Sequence, residues 1–483
     1  MMKRRLGVCI LVITVLFSLC CLTYAAALAE EAPTLSPMLG EWLQKVENGE
    51  TANISLSASL HELVPFGEET LSMMNRLLSQ CKLNVGWQKA EQVETTRTQL
   101  LIGNETAVDI LEQSGDLALA QTSLLPGITL SSEDGSPIPS LLGEETDIPF
   151  WASDIPDPNA FAKKIPDTLS ALSAYMIERE GSFGLLSTAT ARKALVYTVP
   201  KEEAGLVKDT LMKLAEEVSW PEASVLFSTA ILKDDAVITL YQTAEGENVG
   251  FGIKASLGFE NVSVRKVNFL WAFRSDAKKS AQSVSLKAPA AEGSDYLTVT
   301  GQWKLEGKKA KNALSFGLDI KSRFNKKTLR EQWTGKLDCL LADDNQRLEG
   351  EIKQTVTGPE DTKHTFVIRP SLLAYRSGEE VSVKGNVRVA WSEDKAVQSD
   401  VTVSLTADQN AELALGPSGD TLSFSDMALE ERTALAQKVQ SNAVAAIWQA
   451  VLTLPEESLQ LIHKNITQED WEKIFKAGFQ VGQ

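Results

Sequence analysis

The chain has 483 residues, 43% hydrophobic and 23% charged, with 30 Gly and 17 Pro. That is globular composition, and it excludes collagen, coiled coil or disorder as a description of the whole. A formal charge of −17, from 64 acids against 47 bases, argues against a nucleic-acid binder, because phosphates would repel it.

The chain opens on MMKRR, an apolar run from Leu6 to Leu22, and then TYAAALAEEAP. A basic start, an apolar core and a small-residue site are the three parts of a secretory signal. Ala27-Leu28-Ala29 places cleavage before Glu30, so residues 1–29 read as a signal peptide. The alternative is an uncleaved anchor, for which 17 apolar residues is short against ~30 Å of hydrocarbon. The exported form keeps two cysteines, Cys81 and Cys339. They read as two buried thiols in preference to one bridge, since a chain this long builds a core without staples.

Residues 30–130 read as an N-terminal α+β module. A helix is expected over 38–48, a strand over Asn53–Leu60, and, after Pro65 and Gly67, a helix with Leu71, Met74 and Leu78 on one face. Strands follow to Leu130, separated at Gly103-Asn104 and Gly115-Asp116. Residues 131–158 hold five prolines and seven acids and read as a crossover or linker. Residues 159–222 form a second helix–strand–helix module, its first helix opening at Asp157-Pro158 and running to about Glu180. The segment Val64-Pro65-x-x-Glu68-Glu69-x-Leu71 is echoed by Val199-Pro200-x-Glu202-Glu203-x-x-Leu206, which suggests a duplicated N-terminal helix–strand module. Acidic helix starts are common in any case, because acids favour a helix N-terminus.

The strongest pattern spans 223–408, with about twelve candidate strands. Leu297, Val299, Gly301, Trp303 and Leu305 share one face, while Thr298, Thr300, Gln302 and Lys304 share the other. Period-two alternation with short polar turns means an antiparallel meander with one wet face. Phe269-Leu270-Trp271-Ala272-Phe273 is apolar on both faces, so that strand is expected to be covered on both sides. Gly301, Gly335, Gly350 and Gly385 fall on the apolar face, where Gly marks a bend or a close approach. Residues 409–483 turn helical, with one helix over Asp426–Leu452 and others beyond Pro455. The fold class is thus α+β: a long curved antiparallel β-meander, half-open and barrel-like, packed against helices.

Catalytic and metal motifs are missing. The three His (His61, His364, His463) are too few for a His-rich site, and His61-Glu62 lacks the second His of a zinc-protease helix because Pro65 stands there. Each His reads as structural or exposed. No cysteine pair has zinc spacing, and there is no G-x-S-x-G, P-loop, G-x-G-x-x-G or EF-hand loop. Four S-x-x-K matches fall in turns, a strand or a helix end, where the Lys would not be desolvated. The reading is no cofactor and no metal, and an enzyme is the less favoured class.

An outer-membrane barrel is disfavoured by 7% aromatic content and a helical C-terminus. The candidate ligand-lining residues are Phe269, Trp271, Trp303, Phe316, Trp333 and Trp391; the competing reading is that such a stripe is core. Helices packed on the long meander of 223–408 resemble the lipoprotein-carrier (LolA-like) superfamily, a resemblance of architecture without a matching motif. It implies a half-open barrel that shelters acyl chains under a helical lid. The function expected is an exported, non-catalytic binding or carrier protein of the cell envelope holding a lipid-like ligand. The alternatives are an envelope scaffold that contacts other envelope proteins, and a hydrolase with a dispersed carboxylate site.

Overall fold

The computed structural model describes residues 35–452, apart from 48–49, 91–92, 104, 114–116, 133–157, 218–230, 260–261, 277, 292, 325, 359–361, 410–412 and 416–419. The expectations for the signal segment, most of the 131–158 crossover, His463 and the helices past Pro455 lie outside the described residues.

Five α-helices are described: α1 Pro37–Glu47, α2 Glu68–Leu78, α3 Pro158–Leu169, α4 Ala204–Glu217 and α5 Leu429–Leu452. The strands before α3 are β1 Ala52–Leu63, β2 Cys81–Ala90, β3 Val93–Ile102, β4 Glu105–Gln113, β5 Leu117–Thr122 and β6 Ile128–Ser132. Between α3 and α5 come β7 Met176–Leu185, β8 Ala189–Val199, β9 Ile231–Leu232, β10 Ala236–Gln242, β11 Asn248–Phe259, β12 Val262–Asp276, β13 Lys279–Pro289 and β14 Tyr296–Lys308. The remainder are β15 Lys311–Phe324, β16 Lys327–Leu341, β17 Asn345–Thr357, β18 Lys363–Ser377, β19 Glu380–Glu393, β20 Ala396–Asp408 and β21 Asp420–Ser423. β9 to β20 are the twelve strands that the alternation anticipates. Large strand content with few helices is the main architectural fact.

The chain divides into two compact units. The first holds Met1–Gly40, Trp151–Ser371 and Val389–Val397, and the second holds Glu41–Phe150, Leu372–Arg388 and Gln398–Gln483. In the first unit β7 pairs β8, β8 pairs β10, and every consecutive pair from β10 to β17 is antiparallel. The register sets two faces. On the apolar face, Trp271, Val284, Gly301, Leu318, Trp333 and Gln354 form one row across β12–β17. Phe273, Gln282, Trp303, Phe316, Gly335 and Ile352 form the adjacent row.

The β8–β12 part of the apolar face is covered by helices. α3 offers Ile165 and Leu169, and α4 offers Val207, Leu211 and Leu214, each at helical spacing. These pack on Tyr197, Val199, Ile238, Leu240, Phe251, Ile253, Trp271 and Phe273. Full burial of such side chains contributes about 1.5–3 kcal/mol each. On the opposite face the tip of the β7–β8 hairpin folds back, and Leu185 and Ala191 pack with Val249 and Ala272. Gly250 makes room, since a Cβ there would lie 2.8 Å from Leu185 Cδ1. The strand around Trp271 is therefore covered on both sides, as its two apolar faces require.

The helix expected to reach Glu180 ends at Leu169, continues as a 3₁₀ segment over Ser170–Tyr175 and gives way to β7 at Met176. Glu178, Arg179 and Glu180 are good helix formers, but pairing decides. Met176 opposes Tyr197, Ile177 opposes Val196, and Lys193 closes a 2.7 Å ion pair on Glu178 across the hairpin.

In the second unit β20 pairs β1, and β1 to β6 continue as an antiparallel series closed by parallel β21. Helix α2 is clipped to β1 by Asn75, whose amide donates to Leu60 O at 2.7 Å and accepts from Leu60 N at 2.6 Å. Helix α5 packs Ala436 and Val439 on Ala120, Leu125, Leu130 and Phe424. The echoed segments both open a helix just after a strand, β1 to α2 and β8 to α4, the latter through a 3₁₀ turn over Lys201–Glu203.

Candidate functional site

The aromatic residues singled out in the sequence separate into two environments. Trp271 is buried beneath α3 and α4 at a 5.5 Å edge contact with Phe273, and half-buried Phe269 packs against that core, 6.5 Å from Phe251. These two belong to the core. Trp303, Phe316, Trp333 and Trp391 are half-buried. The register places the first three on the same face as Trp271, on β14, β15 and β16.

Two of these rings press against glycines. A Cβ at Gly301 would meet the Trp303 ring at 2.6 Å, and a Cβ at Gly335 would meet the Phe316 ring at 2.0 Å. Glycine on an apolar strand face exposes backbone, and an aromatic ring restores the covering, from two residues along the same strand for Gly301 and from the neighbouring strand for Gly335. Trp333 is held differently. Its Nε1 donates to Glu331 Oε1 at 2.6 Å, and Gln354 Nε2 donates to the same oxygen at 2.7 Å. A carboxylate thus stands on the apolar face and fixes the indole.

Trp391 stacks on Phe366 at 6.2 Å and on His364 at 6.4 Å, both near parallel. Arg369 Nε donates to Glu351 at 3.0 Å and Ser371 Oγ to Glu349 at 3.2 Å, which ties β18 to β17. Phe366, His364 and Glu331 escape the sequence pattern for different reasons. The first two start a strand after a turn, and Glu331 breaks the apolar alternation as an isolated acid. That break was the signal.

One end of this apolar face is covered by the start of α1. Asn312 Nδ2 donates to Leu35 O at 3.4 Å, Ser36 Oγ donates to Gln346 Oε1 at 2.8 Å, and Met38 N donates to the same oxygen at 3.1 Å. Cys339 lies there, buried, and burial pushes its thiol up to about 11. Cys81 is half-buried and also free, so the two cysteines are unbridged.

The opposite, hydroxyl-bearing face holds a depression of about 340 Å³ on β13–β16 under the β7–β8 hairpin tip. That volume sits at the low end of small-ligand sites, ~300–1,000 Å³. Asp319 lies on its margin, gripped by Arg330 through two 2.9 Å bonds, with Lys321 at 3.3 Å. The Arg330 bonds, aided by Lys321, hold its carboxyl below the usual carboxylate range. Among the described residues no cluster of metal-ligating side chains occurs, and no helix is long and apolar enough to cross a membrane. His61 Nε2 bonds Thr402 Oγ1 at 2.8 Å on an exposed surface.

No family model matches the chain, and no curated protein matches it. Solved structures similar to it include OmpT, an outer membrane protein of Vibrio cholerae, at 7% identity and TM-score 0.25 over 74% of this chain and 96% of that one. OpdQ of Pseudomonas aeruginosa is similar at 9% identity and TM-score 0.26, over 75% and 97% of the two chains. OccK9 of the same organism gives 7% identity and TM-score 0.27, over 75% and 98%. These findings correct the resemblance to the lipoprotein-carrier superfamily, because the similar structures are outer-membrane proteins. The physical reason is that period-two alternation over long strands is common to many antiparallel meanders. Without a motif it selects no one family. At these TM-scores the likeness ends at the run of long antiparallel strands.

Proposed function

We propose that this is an exported, non-catalytic protein of the cell envelope that binds an apolar, lipid-like ligand along the aromatic strip of β14–β19. The single observation that carries the reading is the state of Trp303, Phe316, Trp333 and Trp391. They stay half-exposed on the apolar face beyond the stretch that α3 and α4 cover. Large apolar surface left open on a folded protein marks a binding site more often than chance packing. Rings packed against Gly301 and Gly335 cover the strand backbone and offer apolar surface to an alkyl chain, and the Glu331–Trp333–Gln354 cluster supplies one polar point for orientation. The basic, apolar and small-residue pattern of residues 1–29, which reads as a signal, supports export. Phe269 and Trp271 serve as the rigid floor beside the strip, not as contact residues.

The test is displacement of a fluorescent fatty acid, cis-parinaric acid, from purified protein, together with native mass spectrometry after organic extraction. Micromolar binding that Trp333→Gln and Trp303→Gln each weaken at least tenfold, with unchanged circular dichroism, is the expected result. A clean mass and no probe binding would sink the reading and leave the strip as core.

A further inference from the structure

We propose that the hydroxyl-bearing face of β13–β16 carries a second site, on the side of the sheet away from the aromatic strip, and that it takes an acidic saccharide. The register builds it from two rows. Ser285, Thr300, Asp319 and Gln332 form one, and Ser283, Gln302, Gly317 and Thr334 form the next. The second row has a gap at Gly317. A Cβ there would meet nothing nearer than Trp333 O at 3.9 Å, so the missing side chain is the floor of the 340 Å³ depression.

The hairpin tip forms one wall. Thr188 Oγ1 is hydrogen-bonded to Ser283 Oγ, and Leu186 lines the depression. Leu186 at φ 48° and Ser187 at φ 62° are left-handed without being glycine. Such conformations cost of order 1 kcal/mol or more each and persist where the surroundings hold them, often at ligand sites.

The lining chemistry selects the ligand. Thr300, Gln302, Gln332 and Thr334 both donate and accept hydrogen bonds, as a sugar's hydroxyls require, and Leu186 offers an apolar patch to the C–H face of a ring. The charge around the depression selects its sign. The central and flanking rows of the same face carry Lys287, Lys304, Lys321, Arg330, Lys336 and Lys353, against Asp319 and Glu351; the acids Glu306, Asp338 and Glu349 lie one row further out, with Lys279. Asp319 is engaged by Arg330 and Lys321, and Lys304 pairs with Glu306 at 2.6 Å. Lys287, Lys336 and Lys353 have no ion-pair partner among the described residues. A basic surface on a chain of net charge −17 is a local departure from its composition, and lysines of this kind steer anions towards the groove.

The test is titration of the purified protein with trigalacturonate and with neutral maltotriose at low and physiological salt, followed by calorimetry. Trigalacturonate should bind, maltotriose should bind at least tenfold more weakly, and the difference should shrink with salt. Gly317→Val, which fills the floor, should abolish binding, and the pair Lys336→Glu with Lys353→Glu should weaken it at least tenfold. Parinaric acid binding should be unaffected by all three substitutions, which separates this site from the aromatic strip. No binding of either sugar, or binding that survives Gly317→Val, overturns the proposal. So does equal binding of a short single-stranded oligonucleotide, which would mean attraction by charge alone.

Discussion

Adding a methyl group at Gly335 is the sharpest probe of the aromatic face. The ideal Cβ falls 2.0 Å from Phe316 Cε1 and 2.3 Å from Cζ, about half of an ordinary carbon–carbon contact of ~3.5–4.0 Å. In Gly335→Ala the ring must leave the strand it covers, and overpacking of this kind costs about 1–3 kcal/mol. Alanine in place of glycine returns roughly 0.5–1 kcal/mol of backbone entropy. The net expectation is a loss of about 0.5–2 kcal/mol in urea denaturation followed by tryptophan fluorescence. Gly317→Ala, on the same sheet but facing open space, is the control and should be neutral or slightly stabilising. The decisive comparison is a double-mutant cycle. In a Phe316→Ala background the ring is gone, so Gly335→Ala should lose its penalty. An equal penalty in both backgrounds would refute the ring-over-glycine reasoning.

Other consequences can be measured in the same way. Gly350→Ala should be the most damaging of the strand glycine changes, because its Cβ would stand 2.1 Å from the Lys336 backbone carbonyl, which cannot rotate away; soluble yield and melting temperature report it. Asp109 is buried and accepts from Arg97 at 2.9 and 2.7 Å and from Gln99 at 3.0 Å, so Asp109→Ala should cost about 3–5 kcal/mol, while Arg97→Met with Asp109→Leu should recover most of it. A loss in Asp109→Ala no larger than about 1 kcal/mol, that of an exposed pair, would contradict the burial argument. The thiol of Cys339, at about 11 in the folded chain against an ordinary 9.0, stays protonated where the unfolded chain ionises. Its contribution is complete below pH 9 and declines as pH rises towards 11; Cys339→Ala should remove that decline from the pH dependence of unfolding. Asn75→Ala leaves the Leu60 backbone pair unsatisfied and should cost about 1–3 kcal/mol, with α2 amides exchanging faster.

The meander was legible because a strand writes its own signature. Leu297 to Leu305 alternate against Thr298 to Lys304, and the observed register keeps that division across β12–β17. The double apolar character around Trp271 announced two coverings, and both are present. Gly301 and Gly335 announced close approaches, and rings supply them. The first half of β7, up to Glu180, reads as helix in the sequence because its identity depends on pairing with Tyr197 and Val196 about twenty residues later, a non-local contact that helix propensity cannot anticipate. The family resemblance failed for the same reason in larger form, since alternation specifies a sheet without specifying its relatives.

Sequence alone thus determined the strands of the meander and their two faces, because period and residue type act locally. Only the tertiary structure decided which aromatics are floor and which stay open, since that depends on where α3, α4 and the start of α1 come to rest. It also decided that a glycine gap, a folded-back hairpin tip and lysines from five strands meet on the wet face. Residues some 130 positions apart, such as Leu186 and Gly317, share one depression only after the sheet has set their register.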